Sequence, residues 1–227
     1  MLKNVLFQST LILLVLSSCK VIKQRDFILA EKPAKKLLYV LPAADDLTFT
    51  QYITKENGVL SNQDYYNGIK IENLGHRYSF NINTTDSRVT DALKLYSIFV
   101  NDNICEINQE KNYGKALIGI VSYKERKNAA WTFFSMWTLC SINFLGFPLR
   151  EVSTELEINI SIYDNQGNFI KNYIGKGKGL AYLAMYWGYG EDVRRKASLD
   201  AFRQALTEIK GKMILEIDYL NEKLSKS

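Results

Sequence analysis

The stretch Glu155-Leu156-Glu157-Ile158-Asn159-Ile160-Ser161-Ile162-Tyr163 is followed directly by Asp164-Asn165-Gln166-Gly167-Asn168. Leucine and isoleucine alternate strictly with polar residues. That period predicts a strand over Glu155 to Tyr163, with one face in a core and the other in water. The five residues after it form a tight-turn signal, so Phe169 to Ile174 is expected to return antiparallel. Gly175-Lys176-Gly177-Lys178-Gly179 is then expected to weaken this second strand and end it.

Such a hairpin needs a cover on its apolar face, and the end of the chain supplies one. Leu199, Phe202, Leu206, Ile209, Met213 and Leu220 recur at spacings of three and four, with Ala197, Ala201 and Ala205 beside them. This stripe predicts an amphipathic helix from about Asp192 to Leu220, in which Gly211 is the residue that argues for a break.

Upstream, Ala116 to Tyr123 reads as a central strand, and Lys124-Glu125-Arg126-Lys127 as a solvated turn. Ser87 to Val100 reads as a helix with its cap in Thr85-Asp86-Ser87 and its stop at Asn101-Asp102-Asn103. Ile104 to Ile107 suits a short strand. Lys36 to Leu41 suits a strand covered on both faces and ended by Pro42. Leu47 to Asn83 suits short strands and turns. The fold class expected is α+β: a mostly antiparallel or mixed sheet packed by a long C-terminal amphipathic helix and a second helix.

Composition is that of an ordinary globular chain, with 47% hydrophobic and 23% charged residues. The net charge of +5 is scattered, which gives no nucleic-acid footprint. The one histidine, His76, makes a His-rich site impossible within one chain. The sequence has no Cys-x-x-Cys, no His-Glu-x-x-His and no phosphate-binding loop signature. Gly175, Gly177 and Gly179 lack the strand-loop-helix context of a phosphate cradle, so close backbone packing or a strand end is expected there. Glu155 and Glu157 fall on the water-facing side of their strand. No catalytic constellation, metal site or cofactor is therefore expected, and the chain reads as a non-enzyme.

The N-terminus carries the most specific signal. Lys3 is followed by the apolar run Leu11-Ile12-Leu13-Leu14-Val15-Leu16 and then Ser17-Ser18-Cys19. The apolar run is short for a spanning helix and has the order of an export signal. Leu16-Ser17-Ser18-Cys19 resembles the lipobox of bacterial lipoproteins. The resemblance implies cleavage before Cys19, acylation of Cys19, and a cell-envelope location in which the acyl chains hold the protein to a membrane. Lys20, where an Asp would favour inner-membrane retention, points to the outer membrane facing the periplasm. The organisation expected is residues 1–18 as signal peptide, 19–35 as a tether and 36–222 as a single α+β domain. The order of elements, with a hairpin of Asp-x-x-Gly kind at Asp164 to Gly167 before a final helix, resembles the α/β domains of envelope lipoproteins of curli-secretion and Tol-associated type.

Two stretches remain as contact surfaces. Residues 129–149 carry no charge and include Trp131, Phe133, Phe134 and Trp137. Three roles are open for them: a helix or hairpin buried in the domain core, a segment dipping into the bilayer beside the anchor, or an insertion hairpin of an oligomeric pore. A single span is disfavoured, because Lys124 to Lys127 would then stay outside against the positive-inside rule. Tyr182, Tyr186, Trp187 and Tyr189, followed by Arg194 and Arg195, form a candidate patch for an envelope protein or wall component. The alternative is that these rings cap the sheet where the last helix begins. Cys105 and Cys140 are open to pairing in an exported domain. The functional expectation is a membrane-anchored, non-enzymatic binding or accessory factor in envelope assembly or transport. The alternative is a membrane-inserting or oligomeric secretion component that uses segment 129–149.

Overall fold

The computed structural model describes residues 24–27, 29, 33–45, 48–49, 86–106, 111–184 and 191–226. Four strands form one sheet in the order β1 (Leu41–Ala44), β2 (Gly114–Asn128), β3 (Pro148–Asp164) and β4 (Phe169–Ala184). β1 is parallel to β2, and the other neighbours are antiparallel, so the sheet is mixed. Helices α1 (Ser87–Ile98), α4 (Glu191–Leu215) and α5 (Ile217–Ser225) join it in an α+β fold, with α4 packed on β3 and β4. Two short helices, α2 (Ala130–Trp137) and α3 (Ser141–Phe144), lie between β2 and β3.

The alternation at Glu155 to Tyr163 sets the layering. Leu156, Ile158, Ile160 and Ile162 are buried in one cluster with Leu93, Tyr96, Phe99, Phe202, Leu206 and Ile209 from the helices. Asp164 closes the β3–β4 turn: its carboxylate accepts from the backbone N–H of Gln166 (2.9 Å) and Asn168 (2.8 Å), and Gly167 takes a positive φ of 83°.

All the main strands outrun their expected lengths. β2 continues through Lys124 to Lys127, which the charge run had marked as a turn, because each of these residues pairs with β3 from Glu155 to Val152. β4 continues through the glycine run to Ala184. Gly175, Gly177 and Gly179 all face α4. A Cβ there would lie 2.3, 1.8 and 1.8 Å from the carbonyl oxygens of Ala205, Ala201 and Ala197. The glycines and alanines thus let a strand and a helix approach to backbone contact, and the run extends the strand rather than ending it. β4 is also an edge strand. Its free N–H groups at Lys176 and Lys178 are taken by Glu208 (2.9 Å) and Gln204 (2.7 Å) of α4, which blunts the edge.

Other boundaries shift for local reasons. The first strand lies at Leu41–Ala44 and contains Pro42, which is tolerated on this edge strand. Leu37 and Cys105 make only an isolated parallel bridge. α1 is capped by Asp86, whose side chain accepts from Arg88 N–H at 2.8 Å. It does not stop at Asn101 but widens into a π-helical turn, Phe99–Ile104. The last helix passes through Gly211 and breaks at Glu216, whose carboxylate turns aside to Lys171 (2.8 Å) and Tyr173 (2.7 Å). The packed domain reaches Leu224, which is fully buried.

Within the stretch expected as a tether, Gln24–Phe27 form a 3-10 turn. Asp26 and Leu29 are buried, and Lys196 holds Asp26 at 3.0 Å. The packed chain therefore begins before residue 36. The Leu47 to Asn83 expectation lies almost wholly outside the described residues. Thr48 and Phe49 are described: Thr48 Oγ1 accepts from the Ile120 N–H at 3.1 Å, and Phe49 is fully buried.

Candidate functional site

β2 and β3 pair as far as Asn128 and Glu151, and the uncharged segment sits on the end of this long ribbon. It does not close the core. Phe133, Met136, Trp137, Leu139, Phe144 and Leu145 are each between 60% and 88% exposed. Phe134 and Phe147 are also exposed, and Trp131 is half-buried. The bland expectation of a buried helix or hairpin is thus corrected: the apolar side chains are displayed.

The polar side chains of the segment bond to its own backbone, Ser135 and Asn143 from buried positions and Thr132 and Ser141 from exposed ones. Thr132 Oγ1 donates to Leu149 O (3.0 Å), Ser135 Oγ to Trp131 O (2.7 Å), and Ser141 Oγ to Thr138 O (2.7 Å). Thr138 Oγ1 faces Phe134 O (3.1 Å) and Ser135 O (3.2 Å). Asn143 is buried, and its amide reaches Phe147 O (3.1 Å) and Pro148 O (3.4 Å). Each Ser, Thr and Asn side chain from 129 to 149 therefore spends a donor on the segment's own backbone. The hydroxyls spaced every third residue staple the segment to itself.

The segment does not form one helix. Leu139 and Cys140 take left-handed φ values of 50° and 61°, and they separate α2 from α3. Two consecutive left-handed L-residues cost about 1–2 kcal/mol each. The reversal folds the segment into a compact cap. Its eight-residue helix α2 is about 12 Å long. No helix among the described residues is long and apolar enough to cross a membrane.

Charge collects just below the cap. Lys124, Arg126 and Lys127 in β2 and Arg150 in β3 are exposed. Glu125 is instead nearly buried, 3.3 Å from Arg194, 3.6 Å from Lys127 and 3.8 Å from Arg88. Arg195 forms a two-point ion pair with the buried Asp91 of α1. Arg194 and Arg195 of the candidate partner patch are thus turned inward, clamping α4 to β2 and α1. Tyr182 is half-buried in β4, opposite Glu151. Tyr186, Trp187 and Tyr189 lie outside the described residues, as do Cys19 and His76.

Cys105 is buried and Cys140 is exposed, and both are free thiols. Burial pushes the Cys105 thiol up to about 12. On the open sheet face, Glu155 meets Lys178 (3.2 Å) and Arg126 (3.5 Å), and Glu157 meets Lys176 (3.3 Å). These charges line an open hollow of about 640 Å³ that three lysines, Lys124, Lys176 and Lys178, share with Glu155 and Glu157. Among the described residues, no group of three or more His, Cys, Asp or Glu side chains is placed to hold a metal ion. No family model matches the chain, and no curated protein matches it.

Sequence reading found the cap's residues and left buried and displayed roles open for them. It missed the clamp of Arg88, Asp91, Glu125, Arg194 and Arg195. The signal available was weak: charges far apart in sequence, with nothing to show that they meet.

Proposed function

We propose that this chain is a lipid-anchored envelope protein that works by contact rather than by chemistry, as a binding or accessory factor whose contact surface is the apolar cap at residues 130–147. The observation that carries the reading is a set of exposed rings, carried at the end of the β2–β3 ribbon, whose neighbouring hydroxyls are bonded to the segment's own backbone. A contiguous exposed apolar surface marks an interaction site. The lipobox-like Leu16-Ser17-Ser18-Cys19 supports the anchor and the envelope location. A pore-forming role draws less support. The strand residues entering the cap, Lys124 to Lys127, place charge on both faces of the ribbon, and a lipid-facing barrel strand has one apolar face.

The anchor is tested by intact mass of the protein purified from envelopes. A processed chain that starts at an acylated Cys19 supports the reading, and a processed chain without acyl mass in the soluble fraction rejects it. The contact role is tested by replacing Phe133, Trp137 and Leu139 with serine in cells. Loss of function with unchanged protein level is expected. Full function with all three serines would reject the cap as the working surface.

A further inference from the structure

We infer that the occupant of the apolar cap is the lipid leaflet that holds the acyl anchor, so that the domain stands on the membrane at two points, cap and anchor, with β2 and β3 directed at the bilayer. This rests on the anchored reading above and names the partner of its contact surface.

Three observations on different parts of the molecule converge. The first is the end of the molecule at which the N-terminal segment is fixed. Asp26 is held by Lys196 near the start of α4, and Lys94 of α1 lies over the Phe27 ring at 4.6 Å. Ala197 packs at the level of Gly179, which is in register with Thr154 of β3 and so with Glu125 of β2. Ala184 at the end of β4 pairs with Pro148 at the base of the cap. Val152, Ala181, Val193 and Ala197 form one cluster at this end. The N-terminal segment is therefore pinned to the cap's half of the sheet. The opposite half is where Lys35 meets Asp218 of α5 and Glu216 meets Lys171. Cys19 is five residues before Gln24, and five residues reach at most about 18 Å. A link of that length lets an acylated Cys19 and the cap end share one leaflet.

The second observation is chemical. A protein partner is recognised with about one hydrogen bond per 100–200 Å² and a polar rim. The cap spends its Ser, Thr and Asn donors on its own backbone, which is what a segment entering hydrocarbon requires. The third is charge and depth. Arg150 is exposed at the base beside Glu151, and the exposed Arg126 and Lys127, paired with Glu155 and Glu125, lie just below it, within reach of anionic headgroups. A helix of about 12 Å is too short to span, and its exposed rings suit an element that lies in the interface.

The test uses the acylated, processed protein in vesicles of phosphatidylethanolamine and phosphatidylglycerol, with W131F and W187F leaving Trp137 as the sole reporter. Bromines placed shallow or deep in the acyl chains serve as quenchers. The expected result is a blue-shifted Trp137 emission that shallow bromines quench more than deep ones. F133S with L139S should reduce that quenching at least threefold while the protein still floats with the vesicles. Circular dichroism and thermal melting of the same variants should match the parent. Co-flotation with Trp137 unquenched and its emission as in water overturns the inference and leaves the anchored reading standing. Quenched Trp137 in a chain without acyl mass removes the anchored reading and overturns the two-point stance with it, leaving only a cap that meets lipid. A chain that neither floats nor is quenched overturns both.

Discussion

Single residues decide whether α4 can sit on β4. Gly177 has no room for a methyl group, because the obstacle is the Ala201 carbonyl, which belongs to backbone and cannot rotate away. Gly177→Ala should destabilise the domain by about 3 kcal/mol, the upper part of the overpacking range, read as a lower urea midpoint. Gly211→Ala is the control on the same helix. A Cβ there meets nothing within 4 Å, so it should stabilise by about 0.5–1 kcal/mol through helix propensity and unfolded-state entropy. Equal effects at the two sites would refute the backbone-contact reading. The glycine spacing was legible in the sequence, and close backbone packing was among the expectations. The continuation of the strand was not, because what sustains it is a helix whose contact residues begin 18 positions later, at Ala197.

Carboxylates set the acid limit at the same scale. Hydrogen bonds from Lys171 and then Tyr173 hold Glu216 below the ordinary 4.5, Lys212 does the same for Glu208, and the Asn168 amide does so for Asp164, below 3.8. These groups are more acidic folded than unfolded. Their contribution is present above the unfolded values and disappears as pH falls through the folded ones. Thermal melting should therefore be level from pH 7 to about 5 and fall below about pH 4.5. Glu216→Gln should flatten part of that fall. A profile unchanged by this substitution would remove Glu216 from the acid response.

At the scale of elements, the ribbon of β2 and β3 stands independently of what it carries. Of the cap's residues, only Ser135 and Asn143 are buried. Replacing residues 130–147 with an Asn-Gly turn should leave the melting temperature within a few degrees of the parent, since exposed positions contribute about 0.5 kcal/mol or less. Collapse of the fold would mean that the cap belongs to the core. Thiol labelling gives a second reading of this element. Cys140 should react with a maleimide in the native protein, and Cys105 only after unfolding, as its burial and raised thiol pKa require. The composition of the cap was plain from sequence, down to its uncharged length and its hydroxyls every third residue. Its placement was not, because an apolar run has the same composition whether it fills a core or leaves one. Leu139 and Cys140 in left-handed conformation give no sequence signal either, being neither Gly nor Asn.

For the whole molecule, the joints between layers matter more than the layers. Arg195 is the partner of a carboxylate, Asp91, that is nearly closed off from water. Arg195→Met should cost about 3 kcal/mol, because it strands a buried charge. Asp91→Asn combined with Arg195→Met should recover part of that loss. Urea melts of the single and double variants check this, and additive losses would show that the two residues do not act as a pair. This joint and the Glu125 contacts with Arg88 and Arg194 fix α1 and α4 at the cap end of β2.

The sequence by itself determined the local grammar of this protein. Strict alternation at Leu156 to Ile162 makes a half-buried strand wherever it is placed, and Asp164 to Asn168 turns the chain through its own side-chain hydrogen bonds. The stripe from Leu199 to Leu220 makes a helix that must be covered. These follow from nearest-neighbour geometry with periods of two and 3.6. Tertiary structure alone decided where the strands stop, which side chains face water, and which charges meet. Lys124 to Lys127 are strand because β3 lies beside them. The candidate-patch arginines point inward because Asp91 and Glu125 arrive from elements about 70 to 100 residues away, a pairing that sequence separation hides. The apolar cap is exposed because the β2–β3 ribbon carries it past the helices, on residues that the core clusters do not include.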